Sequence, residues 1–409
     1  MVKYPMHLII DATATQTKEF SGIGQYTKNI TRSLILAPNA PQITILLYDG
    51  DSSLDLSGVK ADKIDVQRIG RRPGVIDGLF NYWLHLAPAV RKIIKDIDSP
   101  LFFSPHFLSG FPVDIVPTVV AVLDFAMPEF NYYSNRGGIF NTIRKSEFWY
   151  HMDRTQRAKA IIACSENTAL DYMSYYPNYD ESDVHAIMLG LDIDEVEAPD
   201  FDKAFPKDWS EKGYILYMGG GIQMNKNSEN VIRAYAQYLH ILNDERSISV
   251  ENAPYLIIAG KIFTHLNMPE SLRLRELVTE LGLNSKVKFT GFYSDQHKYS
   301  ILHNAIAFIH LSLFEGFGIA VAEAMSAGVP VIAHNGTSYP EVVGDTGFLV
   351  DGTDPDDAAK ALFIAHTEKK LVADKVNAAR KRAQQFTWEN TAVETLKVLD
   401  QVGKKVYSK

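Results

Sequence analysis

The stretch FEGFGIAVAEAMSAGVPVIA, Phe314–Ala333, decides the fold. Glu315, Gly316, Phe317 and Gly318 read as a turn, and Ile319, Ala320, Val321, Ala324 and Met325 then recur at the spacing of a buried helix built from small residues. Gly328 and Pro330 end that helix, because glycine accepts the left-handed conformation at a helix C-terminus and proline cannot continue one. Two glycines ahead of a helix let a ligand approach the backbone N–H groups closely, and the helix dipole adds positive potential there. The turn is therefore a candidate anion site.

Glu315 and Glu323 restrict the chemistry further. On a mostly helical path, eight residues rise roughly 12 Å along the axis. That exceeds the about 5–9.5 Å between paired glycosidase carboxylates. It suits one long ligand held at two points, with Glu315 at the reacting end. Glu323, leaning back toward the helix N-terminus, would reach hydroxyls farther along. A lone Glu on such a helix is more often a solvent-facing residue; the whole string sets this one apart.

With 409 residues, 46% hydrophobic and 22% charged, the chain is long enough for two domains, each with its own core. A net charge of −8 and a pI near 5.9 argue against nucleic acid as a partner. The one cysteine, Cys164, excludes an intramolecular disulfide framework and a cysteine zinc cluster and fits a reducing cytoplasm. It follows the apolar run Ala160–Ala163 and reads as a core residue. The opening MVKYPMHLIIDAT has too short an apolar core for a secretory leader, and no stretch approaches the roughly 18–20 apolar residues of a membrane span. A soluble protein, or one bound to a membrane only at its surface, is expected.

In chain order, His7–Asp11 reads as a strand, followed by SGIGQY and an amphipathic run from Tyr26 to Leu36. Strand, glycine loop and helix form the phosphate-binding arrangement of doubly wound folds. Gly22 and Gly24 supply only part of a dinucleotide fingerprint, so a tight turn without a ligand is the alternative. Ile43–Tyr48, Leu101–Phe103 and Val116–Val122 read as strands, and helical spacing covers Leu86–Ile97 and Phe140–Ala158. The alternation implies a parallel sheet between helix layers. The run Arg71–Lys95, with Phe80, Tyr82 and Trp83 among cations, reads either as a contact for an anionic membrane or lipid-linked acceptor, or as an ordinary amphipathic helix with a solvated basic face. The polar, proline-bearing segment Glu195–Lys212 is the expected linker. The second half opens with YILYM, then GGGIQMNKN, then a helix from Ser228 to Leu242. Met224 stands where a dinucleotide fingerprint needs glycine, so a NAD-type reading fails. Val287–Gly291 and Ala305–Leu311 add strands. The expected divisions are 1–195, 196–390 and a final helix over 391–409.

FEGFG, the second Glu, EAM, AGVPVIA and PEVVGDTGFLVD together resemble the E-x7-E signature of retaining GT-B glycosyltransferases of family 4, with a lean toward bacterial polysaccharide mannosyltransferases. The resemblance runs almost end to end and is strongest from about 214 to 400. It implies an α/β fold of two Rossmann-like domains facing a central cleft. It implies transfer of a sugar from a nucleotide-diphosphate sugar, GDP-mannose with UDP-sugars as the alternative, to a glycan or lipid-linked acceptor in surface polysaccharide synthesis. No metal, no cofactor and no covalent glycosyl-enzyme are implied. The family's roles carry over residue by residue. Glu315, Asp124 and Lys226 take the catalytic positions, and Gly22, Gly24, Asn225, Lys261, Gly316, Phe317, Gly318 and Glu323 the donor-binding ones. Glu315 would hold the sugar hydroxyls, Glu323 the ribose diol, and Lys226 with the N–H groups of Phe317 and Gly318 the diphosphate. The chain departs from the family at Leu123, where a His normally precedes the retained Asp124, and at Gly221 and Asn225, two positions where an Arg is common. His106, in SPHF, is a second candidate for approaching the site. The acidic runs at 192–194 and 354–357 read as linker and helix start, since a helix N-terminus favours acids without any metal. The implied location is the cytoplasm, with peripheral contact at the inner membrane face as a further partner surface. Two other readings stay open: a nucleotide-sugar epimerase of GT-B fold, and a degenerate binding protein that kept the fold.

Overall fold

The structure, a computed structural model, describes residues 6–16, 22–59, 63–70, 82–108, 110–126, 139–192, 205–219, 224–260, 263, 267–291 and 295–408. Lys261, Gly221 and the first part of the basic run, 71–81, lie outside the described residues. The chain divides into two compact units, Met1–Gly190 with Phe386–Lys409, and Leu191–Gln385. The expected boundaries, after residues 195 and 390, stand five residues downstream of these divisions.

In the first unit, β1 (His7–Asp11), β2 (Gln42–Tyr48), β3 (Ile64–Ile69), β4 (Pro100–Ser104), β5 (Thr118–Val122), β6 (Ala160–Ala163) and β7 (Val184–Ala186) pair in the order β3-β2-β1-β4-β5-β6-β7, every pair parallel. The central strands β1, β4, β5 and β6 are buried along almost their whole length and mostly apolar, as strands covered on both faces are. β3 was not legible in the sequence, because as an edge strand it exposes Asp65 to Arg68 and buries only Ile69. The first helix spans Gly22–Leu36, so Gly22 and Gly24 lie inside its first turn. This corrects the expected glycine loop. Neither residue has a positive φ, so neither is needed for a left-handed turn. The C-terminal helix Trp388–Tyr407 belongs to this unit and packs on the first helix. Thr387 caps it by accepting from Asn390 N at 3.1 Å. The Tyr26 and Trp388 rings lie 6.0 Å apart, and Tyr407 OH donates to Pro100 O at 2.6 Å.

The second unit carries β8 (Tyr214–Met218), β9 (Tyr255–Ala259), β10 (Val287–Thr290), β11 (Ala307–His310), β12 (Val331–His334) and β13 (Phe348–Val350), in the order β10-β9-β8-β11-β12-β13 and again all parallel. The chain winds outward from β8 in one direction and resumes at β11 in the other. In open parallel sheets, ligands bind outside the strand C-termini where the winding reverses. That switch point falls between the loops after β8 and β11. The helix Ser228–Arg246 runs four residues past its expected end and packs on Pro355–Thr367, with Tyr238 OH 2.7 Å from His366 Nδ1. Asp354, in the second acidic run, caps the latter helix by accepting from Asp356 N at 2.9 Å. Among the described residues, no helix is long and apolar enough to cross a membrane.

The helix Ile319–Ala327 starts and stops on left-handed glycines, Gly318 at φ +86° and Gly328 at φ +75°. The Gly328 N–H closes the C-terminus on the carbonyls of Ala324 and Met325, and Arg380 donates to Ala327 O at 3.2 Å. A Cβ on residue 328 would run into the Arg380 guanidinium. Gly328→Ala should therefore lower stability by about 1–2 kcal/mol, the cost of a left-handed alanine. Urea denaturation measures this, and an unchanged midpoint would contradict the capping geometry.

Candidate active site

Two asparagines clasp the loops after β8 and β11 together. Asn225, on the short 3-10 turn Met224–Lys226, is buried. Its side-chain amide donates to Phe314 O at 2.9 Å, and its own carbonyl accepts from Leu313 N at 2.7 Å and Ser312 Oγ at 3.0 Å. Asn227 adopts the left-handed conformation, φ +50°, which asparagine tolerates better than most residues. It donates to Leu311 O at 3.0 Å and Gly352 O at 2.7 Å. Between them Lys226 reaches across, and its Nζ lies 2.6 Å from Glu315 Oε1. Only 19% and 17% of the two side chains is exposed, which sets this pair apart from a screened surface bridge.

The Glu315 carboxyl titrates below its ordinary value. Burial on its own would raise it, but the Lys226 ammonium, His310, and hydrogen bonds from Lys226 and Ser312 outweigh that effect. The backbone is held as well, with Glu315 N donating to Thr337 Oγ1 at 3.4 Å and Ser338 Oγ donating to Glu315 O at 3.0 Å. His310, at the end of β11, is buried and pushed down to about 4, chiefly by desolvation. Its Nδ1 lies 2.5 Å from Tyr339 OH, and burial raises the Tyr339 phenol. The phenol thus keeps its proton and donates to a neutral imidazole, whose other nitrogen bonds to the Met218 backbone at the end of β8. Tyr339 also explains Gly318, because a Cβ there would meet its ring at 2.5 Å.

Glu323, one turn into the helix Ile319–Ala327, pairs with Lys298 at 2.6 Å, the two side chains being 18% and 27% exposed. The structure thus brings Asn225, Lys226, Glu315, Gly316, Phe317 and Gly318 together at the switch point, with Glu323 on the helix that leads away. Asp124, Gly22 and Gly24 belong to the first unit. Asp124 follows β5, is exposed and accepts from Ala126 N at 3.1 Å, while Leu123 O accepts from Cys164 Sγ at 2.8 Å. His106 is buried after β4, and burial lowers its pKa against the opposing charge of Asp11. Sequence reasoning passed over His310, Tyr339 and Lys298. A histidine ending a buried strand five residues before Glu315 was a usable signal for the first. Nothing in the sequence marked the other two.

An all-parallel second unit with a lysine–carboxylate pair at its switch point is a doubly wound fold with a polar site where such folds bind ligands, and comparison with known proteins gives its class. Residues 200–382, within the second unit, match the family model described as Glycosyl transferases group 1. The chain is 25% identical over 408 residues to O-antigen chain mannosyltransferase B of Escherichia coli, covering 95% of this chain and 98% of that protein. It is also 25% identical over 416 residues to the serotype-specific mannosyltransferase WbdA of the same organism, where the match covers 95% of this chain but only 47% of WbdA. Among solved structures, Anabaena HepE in complex with UDP and glucose superposes with a TM-score of 0.68 at 18% identity, covering 97% of this chain and 99% of that one. The protein is therefore a glycosyltransferase of GT-B fold that resembles bacterial mannosyltransferases.

Lys226→Met should cost about 3 kcal/mol at neutral pH, the usual penalty for leaving one member of a buried pair alone. In the unmodified chain the lowered Glu315 pKa adds stability above the ordinary carboxylate range, and that contribution is lost as the pH falls through the lowered value. Without the ammonium, burial raises the pKa. The deficit should then be largest near pH 7 and shrink on acidification, as protonation relieves the buried charge. Urea unfolding of both chains from pH 5 to 8 reads the difference; a deficit independent of pH would refute the ion pair as its cause.

Proposed function

We propose that this protein is a retaining glycosyltransferase of family 4 that moves mannose from GDP-mannose to a glycan or lipid-linked acceptor in surface polysaccharide synthesis. The observation that carries the reading is the Lys226–Glu315 pair, set at the switch point beside the N-terminus of the helix Ile319–Ala327. A cation, a carboxylate and the positive end of a helix suit a ligand with a diphosphate at one place and hydroxyls beside it. The mannosyltransferase names of the two relatives support the sugar.

On this reading the donor diphosphate takes Lys226 as its counter-ion and frees Glu315 to accept hydrogen bonds from the sugar hydroxyls, while Glu323 accepts from the ribose diol. The bond from the anomeric carbon to the diphosphate oxygen breaks, and the acceptor oxygen bonds to that carbon on the same face. The departing diphosphate oxygen receives the acceptor's proton. No protein nucleophile is used. Catalysis rests on positioning and on stabilising the charge that grows on the leaving diphosphate.

A calorimetric and thermal-shift panel of GDP, UDP, ADP and CMP, each with and without EDTA, tests the donor site. GDP at 100 times its Kd should add about 2.7 kcal/mol of stability, and EDTA should leave that unchanged. Glu323→Ala should mainly weaken GDP binding, while Glu315→Ala should mainly lower turnover. Silence across the panel would support the degenerate binding protein, and conversion of the donor without an acceptor would support the epimerase. Proton NMR of the first-formed product reads the anomeric configuration, and inversion would overturn the retaining mechanism.

A further inference from the structure

Glu323 stands on a helix whose other side chains, apart from Ser326, are alanine, valine, isoleucine and methionine. A carboxylate accepts hydrogen bonds through both oxygens, so a cation bound at one oxygen fixes where the other points. Lys298 supplies that cation. It lies on the helix Asp295–His303, with Nζ 2.6 Å from Glu323 Oε1, and the same helix reaches the end of Ile319–Ala327, where His303 Nδ1 meets Ala327 O at 3.1 Å. One helix thus grips the other at both its middle and its C-terminus.

Resting on the donor-site reading above, we infer that Lys298 is a positioning residue for the nucleoside end of the donor. Its ammonium holds the Glu323 carboxylate in one orientation, so that vicinal ribose hydroxyls can donate to it. A plain staple between two helices would leave the same pair in place but would be indifferent to what the ligand carries on its ribose. The two roles therefore part on the ligand, not on the protein.

The experiment is calorimetry of GDP, UDP and ADP and their 2′-deoxy forms with the full chain, Lys298→Met, Lys298→Arg, Glu323→Gln and the Lys298→Met/Glu323→Gln double variant. Lys298→Met should weaken the ribonucleotide by about tenfold, the scale of one charge-assisted hydrogen bond. It should weaken the 2′-deoxy form far less. Lys298→Arg should restore affinity to within about threefold, and the double variant should bind no more weakly than Glu323→Gln, because the lysine acts through that carboxylate. In steady state the donor KM should rise by the same factor, with the loss disappearing at saturating donor. Equal losses on ribo- and deoxynucleotides, or a fall in turnover at saturating donor, would overturn the inference and leave the donor site standing. An unmodified chain that binds none of the three diphosphates would remove the donor site itself. If Lys298→Met does not fold, Lys298→Gln is read by the same comparison.

Discussion

A carboxylate set just past a buried strand needs a cation close by, and Glu315 finds one 89 residues away in Lys226. Local structure cannot supply that partner. It depends on β8 and β11 lying side by side although β9 and β10 separate them in the chain, which a sheet wound both ways from β8 makes unavoidable. Once the strands are neighbours, the loops at their C-termini open on the same spot, and Asn225 and Asn227 tie one loop to the backbone of the other. The ion pair is then a consequence of topology. Its geometry is fixed by the side-chain amides of Asn225 and Asn227 on main-chain carbonyls of the facing loop.

The surroundings of the pair are arranged to keep its charge balanced. His310 is a further titratable group beside the pair, and burial above all, with the Lys226 charge, holds it neutral against the opposing pull of Glu315 and of its bond to the Met218 backbone. A charged imidazole there would compete with Lys226 for Glu315. A neutral one leaves a single cation facing a single anion. The same Tyr339 ring packs against Gly318, so the residue bonded to the histidine also shapes the left-handed turn that opens the helix Ile319–Ala327. Glu323 repeats the pattern on that helix with Lys298. Glu315 and Glu323 thus each have their own lysine, and neither lysine is close to its carboxylate in the chain.

Much of this arrangement was legible in the sequence, and the parts that were not share a cause. The strands β8, β9 and β12 are apolar runs with glycine or proline at one or both ends, β11 lies in the apolar run Ala305–Leu311, and both ends of the helix Ile319–Ala327 carry glycine, so their existence follows from local chemistry. Lys226, Glu315 and Glu323 stood out through the strings around them. What could not be read was pairing. Lys298 sits in DQHKYSIL, which has no feature beyond helical spacing, and nothing local to Tyr339, which begins the helix Tyr339–Val343, says that its hydroxyl reaches His310. Gly22 and Gly24 erred in the opposite direction. Their local pattern pointed to a loop, yet the structure carries the helix back through both. Edge strand β3 failed for a third reason, since a strand that buries only its last residue leaves no periodic trace.

Asn225 bears on whether this is an active or a decayed member of its class. Read as a departure from a pattern that places arginine here, it looks like a lost phosphate contact and favours a protein that kept only the fold. The structure gives it a different character. The residue is 3% exposed and uses its amide and carbonyl on Phe314, Leu313 and Ser312, the three residues that lead into Glu315. An arginine, longer and obliged to stay charged, could not occupy that space without opening the clasp. A position under relaxed constraint would not be expected to hold a buried, compact side chain whose amide satisfies the Phe314 carbonyl next to the central ion pair. Asparagine here works as part of the support that aims Lys226 and Glu315 at one another, which is the arrangement expected of a site still organised for a charged ligand.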